Sequence, residues 1–310
     1  MKKTFQKTLI AASIGAVLAA SSLVANAADN VLFPFVTTKA GAYTFVSLAN
    51  NGAAPVATSY HFYYMSKPVG SSNSTACNHF DAIGKTTQND LVQFEIGKKI
   101  DMIAAFGDTT STPIYQPLVG HEGFLIVAAD VLTANLLYHG EATVIDASSG
   151  LYYSYSTEGL TAPAVADPNY SDAAITSAAN DKFASWYPAS AVNTTYYVVP
   201  TGARSLMAAV AGGGLTATLQ ANTAGIAGGG AYDKNETPFS GTQNPSVTCF
   251  GYVKPGDFLQ PGTASATSTG GWMNTNRTAG TSTGYLQYKV QDSSALGAKF
   301  TTIARDTVNN

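Results

Sequence analysis

Short runs of alternating apolar and polar residues, each closed by a turn signal, constrain this chain more than any other feature. Tyr43 to Ala49 reads YTFVSLA, with Tyr43, Phe45 and Ser47 on one side and Thr44, Val46 and Leu48 on the other. A period of two fits a strand with one buried face and does not fit a helix. Asn50-Asn51-Gly52 then supplies turn residues, and Ala57 to Met65 (ATSYHFYYM) reads as the hairpin partner. Further strands are expected at Leu91–Ile96, Gly123–Leu132, Glu141–Asp146 and Leu151–Ser156, the last two joined through Ser148-Ser149-Gly150. A later group covers Thr195–Val199, Leu206–Val210, Leu215–Ala221, Val247–Val253, Tyr285–Val290 and Phe300–Ile303. Val31 to Thr37 (VLFPFVT) is also strand-like, but Pro34 cannot donate to a ladder, which predicts an edge or terminal position.

One segment breaks the pattern. Between Asp167 and Tyr187, Ile175, Ala179, Phe183 and Trp186 recur at helical spacing, Ser171 or Asp172 can cap, and Pro188 ends the run. The expected fold is therefore mainly β: an antiparallel β-sandwich, one large or two apposed, with one inserted helix near 171–187. A shorter helix is expected at Lys99–Phe106, and the Ser/Thr/Gly-rich stretch 262–284 reads as a long exposed loop. The organisation that follows is a leader (1–27), a β-rich first half (28–166), a helical connection (167–190) and a β-rich second half (191–310) packed against the first.

The leader has Lys2, Lys3 and Lys7, an apolar run from Leu9 to Val24, and Ala25-Asn26-Ala27, the small-x-small pattern of signal-peptidase sites. No later stretch is long and apolar enough for a membrane-spanning helix. An exported chain is expected to oxidise its two cysteines, Cys77 and Cys249, and only one pairing exists.

Composition narrows the function. Asp, Glu, Lys and Arg make up 11% of the 310 residues, against about 25% in an ordinary soluble domain. Loss of the three leader lysines takes the formal charge from −3 to −6. That balance supplies no basic footprint for nucleic acid and too little charge for a disordered chain. Tyr is abundant, with 17 residues, many in runs. Alternate members of a run point to opposite faces of a sheet. Tyr60, Phe62, Tyr64, Tyr153 and Tyr155 are therefore candidates for an outward aromatic surface that could stack on polysaccharide.

No catalytic set assembles from the sequence. Gly280-Thr281-Ser282-Thr283-Gly284 matches G-x-S-x-G, but a loop precedes it and a strand follows, the reverse of a nucleophile elbow. Gly84-Lys85-Thr86 looks like the tail of a phosphate loop, but His79 stands where the motif needs Gly. His79 and Asp81 beside Cys77 are weak metal-ligand candidates, and the simpler reading of 77–81 is a disulfide-anchored loop. No cofactor is expected.

The mature N-terminal region holds Pro34-Phe35, then Thr44-x-x-Ser47-Leu48-x-Asn50, then His61-x-x-Tyr64, then Cys77-x-His79-Phe80-Asp81. Over residues 31–95 this pattern resembles a group of bacterial exported β-rich envelope proteins, and the low-charge composition is similar to that of surface-layer proteins. The resemblance implies an envelope or extracellular β-protein and brings no catalytic residues. The expected function is a non-enzymatic structural protein of the cell surface, outer membrane or extracellular space that self-associates or joins other envelope components. The alternatives are an exported sugar- or ligand-binding module and an outer-membrane β-barrel.

Overall fold

The structure, a computed structural model, describes residues 30–52, 58–98, 118–129, 138–160, 169–170, 182–200, 204–205, 215–221, 230–239, 243–260, 264–277, 285–293 and 301–309. The leader, the Lys99–Phe106 helix, Leu206–Val210 and the G-x-S-x-G segment all lie outside these residues. Every strand pairing is antiparallel.

The first half carries β1 (Asn30–Thr37), β2 (Ala42–Asn50), β3 (Thr58–Pro68), β4 (Asn78–Thr86), β5 (Asp90–Glu95), β6 (His121–Ala129), β7 (Tyr138–Asp146), β8 (Leu151–Ser156) and β9 (Glu158–Leu160). They form two sheets, ordered β4-β3-β6-β1-β9 and β5-β2-β7-β8. The alternation in β2 and β7 is carried through: Thr44, Val46, Leu48, Ala142 and Val144 are buried, and the residues between them are half-buried. Phe62 of β3 meets Phe94 of β5 with ring centroids 5.4 Å apart, and Tyr60 meets Tyr138 at 6.3 Å. The two sheets thus close on one aromatic core. Phe33 sits where a Cβ on Gly140 would be, so only glycine lets β1 approach β7 this closely.

The second half carries β10 (Asn169–Tyr170), β11 (Lys182–Trp186), β12 (Asn193–Pro200), β13 (Arg204–Ser205), β14 (Thr216–Ala221), β15 (Ala231–Asp233), β16 (Ser246–Thr248), β17 (Gly251–Val253), β18 (Gly271–Arg277), β19 (Tyr285–Asp292) and β20 (Thr301–Asn309). One sheet runs β17-β12-β19-β20, another β11-β18-β14-β16 with β15 also on β18, and β10 pairs with β13. Consecutive residues of β12 face opposite cores. Tyr196 and Val198 pack with Trp186, Leu219 and Met273, whereas Tyr197 and Val199 join the aromatic core of the first half. Both tyrosines are fully buried. β12 is therefore covered on both faces from Tyr196 to Pro200, and so are β1 and the middle of β6.

Several expectations change. The inserted helix is not found: Lys182–Trp186 is a strand paired with β18, and 171–181 lie outside the described residues. The cross-strand ladder on β18, from Lys182↔Thr275 to Trp186↔Gly271, decides the conformation at Phe183 and Trp186. Among the described residues the only helices are two short 3₁₀ turns, Pro255–Phe258 and Ala264–Thr269. The second of these, with β18, occupies the stretch read as an exposed loop. β2 and β3 are not a hairpin but belong to different sheets. β1 is interior, between β6 and β9. Pro34 is accommodated because the β1–β6 register slips between Phe33 and Val36, and β9 pairs only with Asn30–Leu32. This bulge also lets Phe35 turn to Tyr197, 5.1 Å away edge-on, while Phe33 faces β7. Among the described residues no sheet closes on itself, and no helix is long and apolar enough to cross a membrane.

Candidate functional site

The two halves meet where the connection between β3 and β4 lies on the turn between β16 and β17. Val247 to Val253 had read as one strand, but Cys249 has φ 65° and splits it into two short strands of different sheets. Cys249 is bonded to Cys77 across a sequence separation of 172 residues. Asn73 joins the same junction: its Nδ2 donates to the Tyr252 carbonyl at 2.7 Å, and its Oδ1 accepts from the Tyr252 N–H at 3.0 Å. A Cβ at Gly251 would overlap Asn73 Oδ1, so glycine is required there.

Lys67, at the end of β3, is 2% exposed. Its ammonium donates to the carbonyls of Phe250 (2.6 Å), Ser72 (3.0 Å), Thr75 (3.3 Å) and Thr248 (3.4 Å), and lies 4.6 Å from the Phe250 ring centroid. Two of these carbonyls come from each half. Burial lowers its pKa to about 8. With its three protons shared among four acceptors, the amine is a cross-link between segments, unsuited to attack on a substrate.

Beside this junction is a cleft of about 230 Å³ lined by Lys67, Pro68, Val69, Glu122, Phe250 and Tyr252, among others. Glu122 stands opposite Lys67 in the β3–β6 ladder. Burial raises its carboxyl, and the Tyr252 hydroxyl, donating at 3.1 Å to Oε2, works against that rise. Burial also pushes up the phenols of Tyr64, Tyr155, Tyr197 and Tyr252, so these stay neutral. Tyr197 donates to the Gly123 carbonyl at 3.1 Å, and Tyr155 donates to the Phe35 carbonyl. Pockets for drug-sized ligands run to about 300–1,000 Å³. This cleft therefore admits one ring or one side chain, with aromatic walls and a single carboxylate.

The aromatics expected on an outward face lie mostly inside. Tyr60, Phe62 and Tyr64 are at most 1% exposed and Tyr155 is 7% exposed. Tyr153 is half-buried and stacks on Tyr155 at 5.0 Å. The reason is that sheet faces assumed to be wet are covered by the neighbouring sheet. Among the described residues the exposed large aromatics are instead Tyr152 and Tyr187. His79 and Asp81 do come together, with Nε2 3.9 Å from Oδ1, but both are exposed and sit on strand β4, not in a loop. No group of three or more metal-ligating side chains occurs among the described residues.

Lys67, Asn73, Glu122 and Tyr252 were not singled out from the sequence. In so sparsely charged a chain, a lysine two residues after the aromatic run YHFYYM was a usable signal. Compared with family models, curated proteins and solved structures, the chain matches none.

Proposed function

We propose that the protein is an exported, non-enzymatic structural component of a cell envelope or extracellular matrix, and that it associates with copies of itself. The observation that carries this reading is the Cys77–Cys249 bond, which ties one half to the other across 172 residues. Such bonds persist in oxidising compartments, in agreement with the leader-like residues 1–27. The wide burial of aromatic side chains between sheets supports a load-spreading scaffold, and a surface poor in charge weakens repulsion between copies. In finer architecture, the reading is of apposed sandwiches sharing the sheet of the doubly covered β12.

The test is cell fractionation together with sedimentation of the exported chain over a wide concentration range, with and without calcium. Association, with the protein in the surface or extracellular fraction, is expected. A strict monomer confined to the cytoplasm would refute it.

A second reading, a sugar- or ligand-binding module, is favoured by the Phe250/Tyr252/Glu122 cleft. A glycan panel checks it: binding abolished by Tyr252→Ala supports it, and no binding across the panel removes it.

A further inference from the structure

The edges of the sheets differ in how open they are. An edge strand presents unpaired N–H and C=O groups, and proteins commonly blunt it by shortening, bulging or charging it. Among the described residues the edge strands β9, β16 and β17 have three residues each, β11 has five, and β5 and β8 have six. β20 has nine, but its pairing with β19 is interrupted by a register shift. β4 also has nine, and it pairs with β3 without interruption from Thr58↔Thr86 to Ser66↔Asn78. Its other side has no partner among the described residues.

The side chains on this edge follow a pattern. Ala82, Gly84 and Thr86 are buried under the first-half core, whereas His79, Asp81, Ile83 and Lys85 are exposed on the opposite face. Ile83 is 53% exposed. Asp81 and Lys85 lie two residues to either side of it, with opposite charge.

We infer that β4 pairs edge to edge, antiparallel, with β4 of a second copy about a two-fold axis at Ile83. This rests on the self-association proposed above and names its surface. Antiparallel pairing puts side chains of the same face opposite each other, so exposed residues must meet exposed residues. Few registers satisfy that condition, and charge separates them. Centring on Asp81 sets Asp81 against Asp81, and centring on Lys85 sets Lys85 against Lys85. Centring on Ala82 or Gly84 leaves each Asp81 without a cation opposite. Centring on Ile83 sets Ile83 against Ile83, and sets each Asp81 against the Lys85 of the other copy. Two ion pairs then flank an apolar contact, the self-complementary arrangement a two-fold interface requires. The five-stranded sheet β4-β3-β6-β1-β9 would continue into that of the second copy as a sheet twice as wide, and the β5-β2-β7-β8 layer would not be extended. Dimers joined this way still carry their other edges, so further growth remains possible.

The test uses the exported chain. Asp81→Lys and Lys85→Asp each set like charges opposite and should weaken dimerisation about thirtyfold, the effect of two exposed pairs changed from attraction to repulsion. An equimolar mixture of the two variants restores attraction at both pairs and should dimerise like the wild type. Ile83→Cys should give a covalent dimer on oxidation, because directly opposed strand residues lie 4.5–5.5 Å apart at Cα, roughly the span of a disulfide. Lys85→Cys, opposite Asp81, should not. If the wild type associates but neither charge reversal nor Ile83→Cys has these effects, the β4 inference is overturned and the self-association proposal stands. If the wild type does not associate at any concentration, both fall.

Discussion

Replacing Cys77 and Cys249 by alanine separates what the disulfide does from what the junction around it does. The bond closes a loop across 172 residues. Chain-entropy scaling assigns such a cross-link about 5 kcal/mol, exerted on the unfolded chain. The non-covalent contacts at the same place act on the folded chain: Asn73 bridges the Tyr252 backbone at 2.7 and 3.0 Å, and Lys67 binds Phe250 and Thr248 carbonyls. If this division holds, Asn73→Ala should cost the same in the cross-linked and uncross-linked proteins, within about 0.5 kcal/mol. Guanidinium denaturation of the wild type, the double-alanine variant, and each with Asn73→Ala gives all four values. The expected loss from removing the disulfide is about 4–5 kcal/mol. A loss under about 2 kcal/mol, or a coupling with Asn73 above about 1 kcal/mol, would refute the reasoning and place the disulfide's effect in the native junction. Cys249 adds an internal control. Its φ of 65° is left-handed, so glycine at 249 in place of alanine should recover about 1 kcal/mol.

Lys67→Met keeps the apolar stem but takes the ammonium away from four carbonyls, of which those of Ser72 and Thr248 keep a backbone donor (the Thr75 and Phe250 N–H groups), and should destabilise the fold by about 3 kcal/mol in the same assay. For Asp146, burial would raise the carboxyl, but hydrogen bonds from Lys39 (2.8 Å), Ser148 and Ser149 outweigh it and hold the group well below its ordinary value. A depressed folded pKa gives stability that is present above the unfolded value and is lost as pH falls through the folded one. Asp146→Asn should therefore lower the thermal midpoint at pH 7 and flatten the loss on acidification. Glu122 has the opposite sign: burial raises its carboxyl, so its contribution is complete below the unfolded value and is lost as pH rises through the folded one. Glu122→Gln, which keeps an acceptor for Tyr252, should raise the midpoint at pH 7 and leave it unchanged below about pH 4.

The strand content was legible where one face is buried and the other is not. β2, β7 and β8 follow the alternation of their sequences, and Ser148-Ser149-Gly150 forms the expected connection, with Asp146 accepting from Ser148 and Ser149. The disulfide was legible because two cysteines allow one pairing. One cause of what was not legible is the covering of strands on both faces. Tyr196 and Tyr197 are adjacent and both fully buried, and period-two reasoning assigns one of them to solvent. The same assumption put Tyr60, Phe62, Tyr64 and Tyr155 on a surface. β11 was misread because Phe183 and Trp186 also fit a helical spacing with Ile175 and Ala179, and β18 was misread because Ser, Thr, Asn and Gly dominate the stretch around it. The Lys67–Asn73–Glu122–Tyr252 grouping depends on segments far apart in sequence, and no local pattern encodes it.

β1 imposes an order of events on folding. Asn30 stands opposite both Ala128 and Leu160, and the whole strand is buried. An eight-residue apolar segment made early therefore waits for partners made much later. Non-local pairing of this kind folds slowly and leaves sticky intermediates. A chain caught before Leu160 is available cannot complete this sheet, so β1 keeps an apolar edge uncovered until both β6 and β9 have been made.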